Sequence, residues 1–192
     1  IEANLIINGA FPINTSDVVG SGFLWKNLAE STYSIHKETN SLRRTFYYLD
    51  KYKIDMIQRL LGNNAVEITY EVTNSGLETQ KIGISQYVDT FVGSDSVPVT
   101  PINNFEGINL TYGQSSLAII PDTKTMPNWA AGYYNSTQNF KQYSTQNADG
   151  LGWETGVRYR DAGGSSNSSP VELKENKPVN LGDSGVSMKN PG

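Results

Sequence analysis

The chain has 192 residues, 18% charged and 37% hydrophobic, with 18 Gly, 8 Pro, 11 Tyr and a net charge of −4. That is too apolar and aromatic for disorder, and long enough to bury one sizeable core. The acidic balance, with no basic cluster larger than Arg43-Arg44, excludes a nucleic-acid footprint, and the absence of Cys excludes disulfides, thiolate metal sites and a Cys nucleophile.

Ile1, Ala3, Leu5 and Ile7 alternate and predict an opening strand closed by Asn8-Gly9. A polar loop over residues 11–22 follows, then a short strand at Phe23-Leu24-Trp25. Two further short strands fall at 33–37 and 45–49, separated by the turn-like Glu38-Thr39-Asn40-Ser41. The segment from Tyr52 to Val92 is the clearest part of the chain. Val66, Ile68, Tyr70 and Val72 point to one side and Glu67, Thr69 and Glu71 to the other, as in a strand with one face in the core and one in water. Gly62-Asn63-Asn64 before it and Asn74-Ser75-Gly76 after it supply turn residues, and Ile82, Ile84 and Val88 resume the alternation. Three consecutive antiparallel strands are expected here.

Beyond Val92 the stretch 93–101 reads as a long loop, because its prolines cannot donate to a central ladder. Residues 107–120 predict a hairpin across Gly113-Gln114, and Ser136 to Tyr143 a short helical turn. Strands follow at 156–160, 171–174 and 185–188, with a Gly/Ser-rich excursion at 163–169. No apolar run approaches the roughly 18 residues that span a bilayer, so no membrane insertion is expected. The fold class is all-β, an antiparallel β-sandwich with long loops and at most a short helical turn, in a single domain over residues 1–192. Both ends read as internal to a longer chain.

The run Val66-Glu-Ile-Thr-Tyr-Glu-Val-Thr-Asn74 followed by Lys81-Ile-Gly-Ile-Ser-Gln-Tyr-Val-Asp89 resembles the paired strands of galactose mutarotase-like supersandwich domains. Gly182-Asp-Ser-Gly-Val-Ser-Met188 is similar to the segment entering their last strand. The resemblance covers residues 50–92 and 150–190. Enzymes of that superfamily use histidines with a carboxylate, and a chain with one His cannot complete the set. The resemblance therefore implies a non-catalytic module, such as those of Gram-positive surface adhesins, whose Asn/Thr/Ser-rich, Cys-free composition this chain shares.

Gly182-Asp183-Ser184-Gly185 also spells the tetrapeptide around a chymotrypsin-like nucleophile. A triad needs a base in reach of the Ser, His36 is the sole imidazole, and Val186 stands where another Gly is expected. The tetrapeptide reads as a turn entering a strand. Asp89, Asp95, Asn103, Asn104 and Glu106, or Asn147 with Asp149, offer oxygen ligands for Ca²⁺ without the spacing of a calcium loop. Lys53 and Lys81 are candidates for an isopeptide crosslink. Trp129, Tyr133, Tyr134, Asn135, Asp149 and Trp153 combine flat apolar rings with amides and a carboxylate, which is what sugar faces and hydroxyls need. The competing reading makes Trp129 and Trp153 core plugs. Together these features point to an extracellular, wall-associated or secreted adhesion module that binds a glycan or a host surface protein. An accessory β-sandwich of a carbohydrate-active enzyme is the alternative.

Overall fold

Apolar–polar alternation converts into strands over most of the described residues. The computed structural model describes residues 2–8, 29–94, 97–122, 124–126, 128–133, 158–160, 170–179 and 184–190. In order, the strands are β1 (Glu2–Ile7), β2 (Ala29–His36), β3 (Ser41–Tyr48), β4 (Tyr52–Leu61), β5 (Ala65–Asn74), β6 (Ile82–Asp89) and β7 (Val99–Pro101). They continue with β8 (Ile108–Tyr112), β9 (Ser115–Ile119), β10 (Asn128–Tyr133), β11 (Arg158–Arg160), β12 (Pro170–Glu172) and β13 (Ser184–Asn190). Helical geometry among the described residues is confined to 3₁₀ turns at Lys37–Thr39 and Asn103–Phe105. The protein is all-β, and every strand pairing among the described residues is antiparallel.

Sheet order explains the packing. A central sheet runs β1-β6-β13-β10, a second runs β2-β3-β4-β5, a third β7-β8-β9, and β11 pairs with β12. In the central sheet Leu5 lies opposite Ile84, Val88 opposite Val186, and Met188 opposite Trp129, so these side chains share one face. One end of that face meets Phe46, Tyr52, Ile54 and Met56 of the second sheet. The other end meets Val99, Ile108 and Leu110 of the third, with Val92, Val97 and Leu173 closing the cluster. Met126 packs against both clusters and joins them.

The second sheet's inner face is laid down by register. Phe46, Ile54 and Val72 align across β3, β4 and β5, as do Arg44, Met56 and Tyr70. The Arg44 guanidinium lies 5.2 Å above the Phe46 ring and roofs it. Tyr48 and Tyr52, opposite each other where the β3–β4 hairpin closes, stack with centroids 6.1 Å apart.

Three expectations need correction. The strands β4, β5 and β6 are present, but β6 does not pair with β5; it crosses to the central sheet and lies between β1 and β13. Placed there, Ile82 and Ile84 stack on the inner faces of β4 and β5, in one cluster with Ile54, Met56, Ile68 and Val72. Asn8 fixes the crossover, its backbone N–H donating to the Lys81 carbonyl at 2.8 Å and its Oδ1 accepting from the Lys81 N–H at 3.0 Å. Second, Ile68, Tyr70 and Val72 do pack inward, but Val66 is 58% exposed. It overhangs because the β4–β5 hairpin is longer than the sheet covering it. Third, the 93–101 loop ends in a short strand, β7, whose Pro101 is tolerated because β7 is three residues long and flanks β8 from outside. The strand β10 was not foreseen, since Asn, Ala and Gly disfavour strands. The stretches 23–25 and 136–143 lie outside the described residues.

Turn chemistry follows the chain. The β3–β4 hairpin turns through Leu49 and Asp50, both at positive φ (54° and 49°), with the Lys51 N–H donating to the Tyr48 carbonyl at 3.2 Å. For a residue with a Cβ the left-handed region costs about 1–2 kcal/mol, and Leu49 is exposed, with no core contact to offset that cost. Leu49→Gly should therefore raise stability by roughly 0.5–1 kcal/mol in urea unfolding, the strain relief less glycine's extra chain entropy. Ile54→Ala should cost about 2–5 kcal/mol, whereas Val66→Ala should stay within about 0.5 kcal/mol. Equal losses at Ile54 and Val66 would mean that the overhang is misassigned.

Candidate ligand-binding site

Trp129 sits on β10 with 5% of its surface exposed, inside the larger core cluster. Its indole N–H donates to the Phe105 carbonyl at 3.2 Å, which satisfies the ring's polar atom. In this position the ring is a core plug that ties β10 to the Asn103–Phe105 turn. Tyr133 ends β10 opposite Ser184. Tyr134, Asn135, Asp149 and Trp153 lie outside the described residues, as do Asn147 and Asp95.

The calcium candidates do not assemble among the described residues, where no group of three or more His, Cys, Asp or Glu side chains could hold a metal. Asn104 and Glu106 are exposed on the 3₁₀ turn and its exit, Asn104 at φ 57°. Neighbouring Asn103 is engaged elsewhere, its Oδ1 accepting from Asn176 Nδ2 at 2.6 Å. The backbone of Asp89 lies opposite Gly185 on the central sheet. His36 is exposed at the end of β2, with Nε2 2.9 Å from the Ser34 hydroxyl, while Ser184 opens β13 in a different sheet.

The outer face of the second sheet carries a charge cluster. Asp55, 3% exposed, receives the Thr45 hydroxyl on Oδ1 and on Oδ2 both Arg43 at 2.9 Å and Lys53 at 2.8 Å. Arg43 also reaches Glu71 at 3.4 Å. Register creates this grouping, because Thr45, Asp55 and Glu71 are directly opposite across three strands. Burial pushes the Asp55 carboxyl up, but hydrogen bonds from Lys53 and Thr45 and the charges of Lys53 and Arg43 outweigh it, leaving it below its ordinary value. The Lys53 ammonium is pushed up by its hydrogen bond to Asp55 and then by that carboxylate's charge. A carboxylate this fully engaged is a poor base, and a protonated amine is a poor nucleophile. Lys53 is therefore half of an ion pair with a residue two positions along its own strand, a pairing in which a crosslink would staple nothing. The other isopeptide candidate, Lys81, precedes β6 and is exposed.

A different site emerges at the end of the third sheet. Tyr112, the last residue of β8, is 54% exposed, and its ring lies on the backbone of Gly93. A Cβ at Gly93 would stand 2.5 Å from Tyr112 Cδ1, and the φ of +69° independently favours glycine. Two residues earlier Phe91 is 65% exposed, while Val92 and Val97 are buried and pin the loop on both sides. The Val92 N–H donates to the Ser94 carbonyl at 3.3 Å and tightens the bend. Tyr112 is opposite Ser115 across the Gly113-Gln114 turn, where Gly113 has φ 59°. The arrangement is an exposed tyrosine at a hairpin end lying on a loop that also carries the exposed Phe91, with exposed Gln114 and Ser115 at the adjoining turn. Sequence reasoning placed Gly93 in a loop and Tyr112 on a strand; their contact spans two elements and leaves no local signal.

Comparison of the chain with protein-family models, with curated proteins and with solved structures finds no match. Among the described residues, no helix is long and apolar enough to cross a membrane.

The Asp55 cluster sets a pH dependence. A carboxyl depressed in the folded state contributes stability that is fully present above its unfolded pKa, about 3.9, and is lost as pH falls through the folded value. A raised Lys53 acts oppositely: its contribution is full below about 10.4 and is lost as pH rises through the folded value. Asp55→Asn should cost about 1–2 kcal/mol at neutral pH, at the low end for a charged hydrogen bond because both cations can rehydrate. Urea unfolding across pH should show that deficit shrinking below about pH 4. A deficit independent of pH would remove the ion pair from the explanation.

Proposed function

We propose that this chain is a non-catalytic, extracellular β-sandwich module of a bacterial surface protein that binds a glycan on the Tyr112–Phe91 surface. One observation carries the reading: a half-exposed aromatic ring is seated on a glycine backbone that admits no side chain. The C–H faces of a sugar ring need a flat apolar partner, and a ring already packed against a backbone surface has less ordering entropy to lose on binding. Exposed Ser115 and Gln114 at the neighbouring turn supply groups for sugar hydroxyls. Resemblance of the strand chemistry at 66–89 to supersandwich domains, together with a Cys-free, Asn/Thr/Ser-rich composition, supports the surface-protein setting.

A glycan-array screen would identify the ligand class, after which two variants separate binding from folding. Tyr112→Ala should weaken glycan binding by about 2 kcal/mol or more, as at a hot spot, with little change in Tm. Trp129→Ala should do the reverse, lowering stability by about 3–5 kcal/mol while each folded molecule binds normally. Normal binding by the Tyr112 variant would sink the site assignment.

A further inference from the structure

Edge strands present unpaired backbone groups, and proteins usually blunt them with bulges, prolines, lysines or brevity. Among the described strands several edges follow that rule: β2 carries a register shift between Ala29 and Thr32, β7 contains Pro101, and β9 has five residues. The longest edge that does not is β5. It is ten residues long, keeps unbroken register with β4 from Ala65 to Asn74, and contains no Pro, Gly or Lys. Among the described residues it pairs with β4 alone. Beside it the sheet's inner face continues past its cover, with Ile35, Leu60 and Val66 exposed.

We infer that β5 is a self-complementary edge through which two copies of this chain pair antiparallel, joining their four-stranded sheets into one. The occupant is named by charge and pattern. Period-two alternation restricts a two-fold pairing to registers that keep apolar residues on one face. Centring on Thr69 sets Glu67 against Glu71, and centring on Glu71 sets that residue against itself; both place like charges in contact. Centring on Tyr70 avoids this. Glu71 then faces Thr69 of the second copy, Glu67 faces Thr73, and Ile68 faces Val72, with overlap from Val66 to Asn74. A two-fold axis makes each contact occur twice. Within the chain Glu67 pairs with Arg59 at 2.8 Å and Glu71 lies 3.4 Å from Arg43, which holds both carboxylates on the sheet's outer face. The inference is independent of the glycan reading, although a dimer would present two such sites and gain avidity from them.

Sedimentation velocity across a concentration series tests it. Wild type should show a reversible monomer–dimer equilibrium. Thr69→Glu places a glutamate against Glu71 twice and should raise the dimer Kd by about 2- to 30-fold, and Thr69→Lys should lower it by a similar factor. Thr69 is exposed, so both variants should fold normally. Thr73→Lys, facing Glu67, should repeat the gain at an independent position. A monomer at every concentration, a dimer indifferent to these charges, or Thr69→Glu and Thr69→Lys shifting Kd the same way would overturn the inference.

Discussion

One face of the β1-β6-β13-β10 sheet has to be covered by two different sheets, and most of the architecture follows from that demand. Leu5 and Ile84 commit one end of the face to the β2–β5 sheet, while Val186, Met188 and Trp129 commit the other to β7–β9. Neither covering sheet spans the whole face, and Met126 fills the junction by touching both clusters. An unbranched, polarizable side chain suits that irregular gap. The chain must therefore leave the β5 edge and cross to the central sheet at β6, and the Asn8–Lys81 hydrogen bonds hold the crossing in place.

The same demand generates the features with functional meaning. Because the covering sheets are not matched in length to the sheet beneath, each ends with side chains the core cannot absorb. At the second sheet this leaves Val66 and Leu60 in solvent and a long regular edge. At the third it leaves Tyr112, which meets the loop leaving β6 and settles on Gly93. Val92 and Val97 belong to the core, so the loop that carries Phe91 is anchored to the scaffold through these two side chains. Binding residues on loops held by a rigid framework are a common arrangement. The charge cluster around Asp55 belongs to another category, since its groups neutralise one another and stiffen the outer face.

Much of the fold was legible in the sequence because alternation is a local signal. The strands β1, β3, β4, β5, β8, β9 and β13 could be located from residues such as Leu5, Phe46, Ile68, Leu110 and Val186, and the Gly113-Gln114 turn from its glycine. What could not be read is what depends on distant partners. Strand β6 has the pattern of a hairpin partner for β5, and nothing local distinguishes pairing from stacking. Strand β10 is built of Asn, Ala and Gly and is a strand only because Met188 and Val186 line up beside Trp129 and Ala131. Trp129 illustrates the limit at single-residue scale: a tryptophan among amides suits a sugar platform as well as a core plug, and only its burial and the Phe105 carbonyl distinguish them. Tyr112 and Gly93 are ordinary residues in sequence and become a site only through contact.

The seated ring is most directly tested by a backbone-amide chemical-shift titration with the tightest-binding glycan. The expected result is that the largest shifts fall on two separate stretches together, Phe91 to Ser94 and Tyr112 to Ser115, and saturate with one affinity. Shifts concentrated on β10, or elsewhere with Gly93 and Tyr112 unmoved, would contradict the assignment.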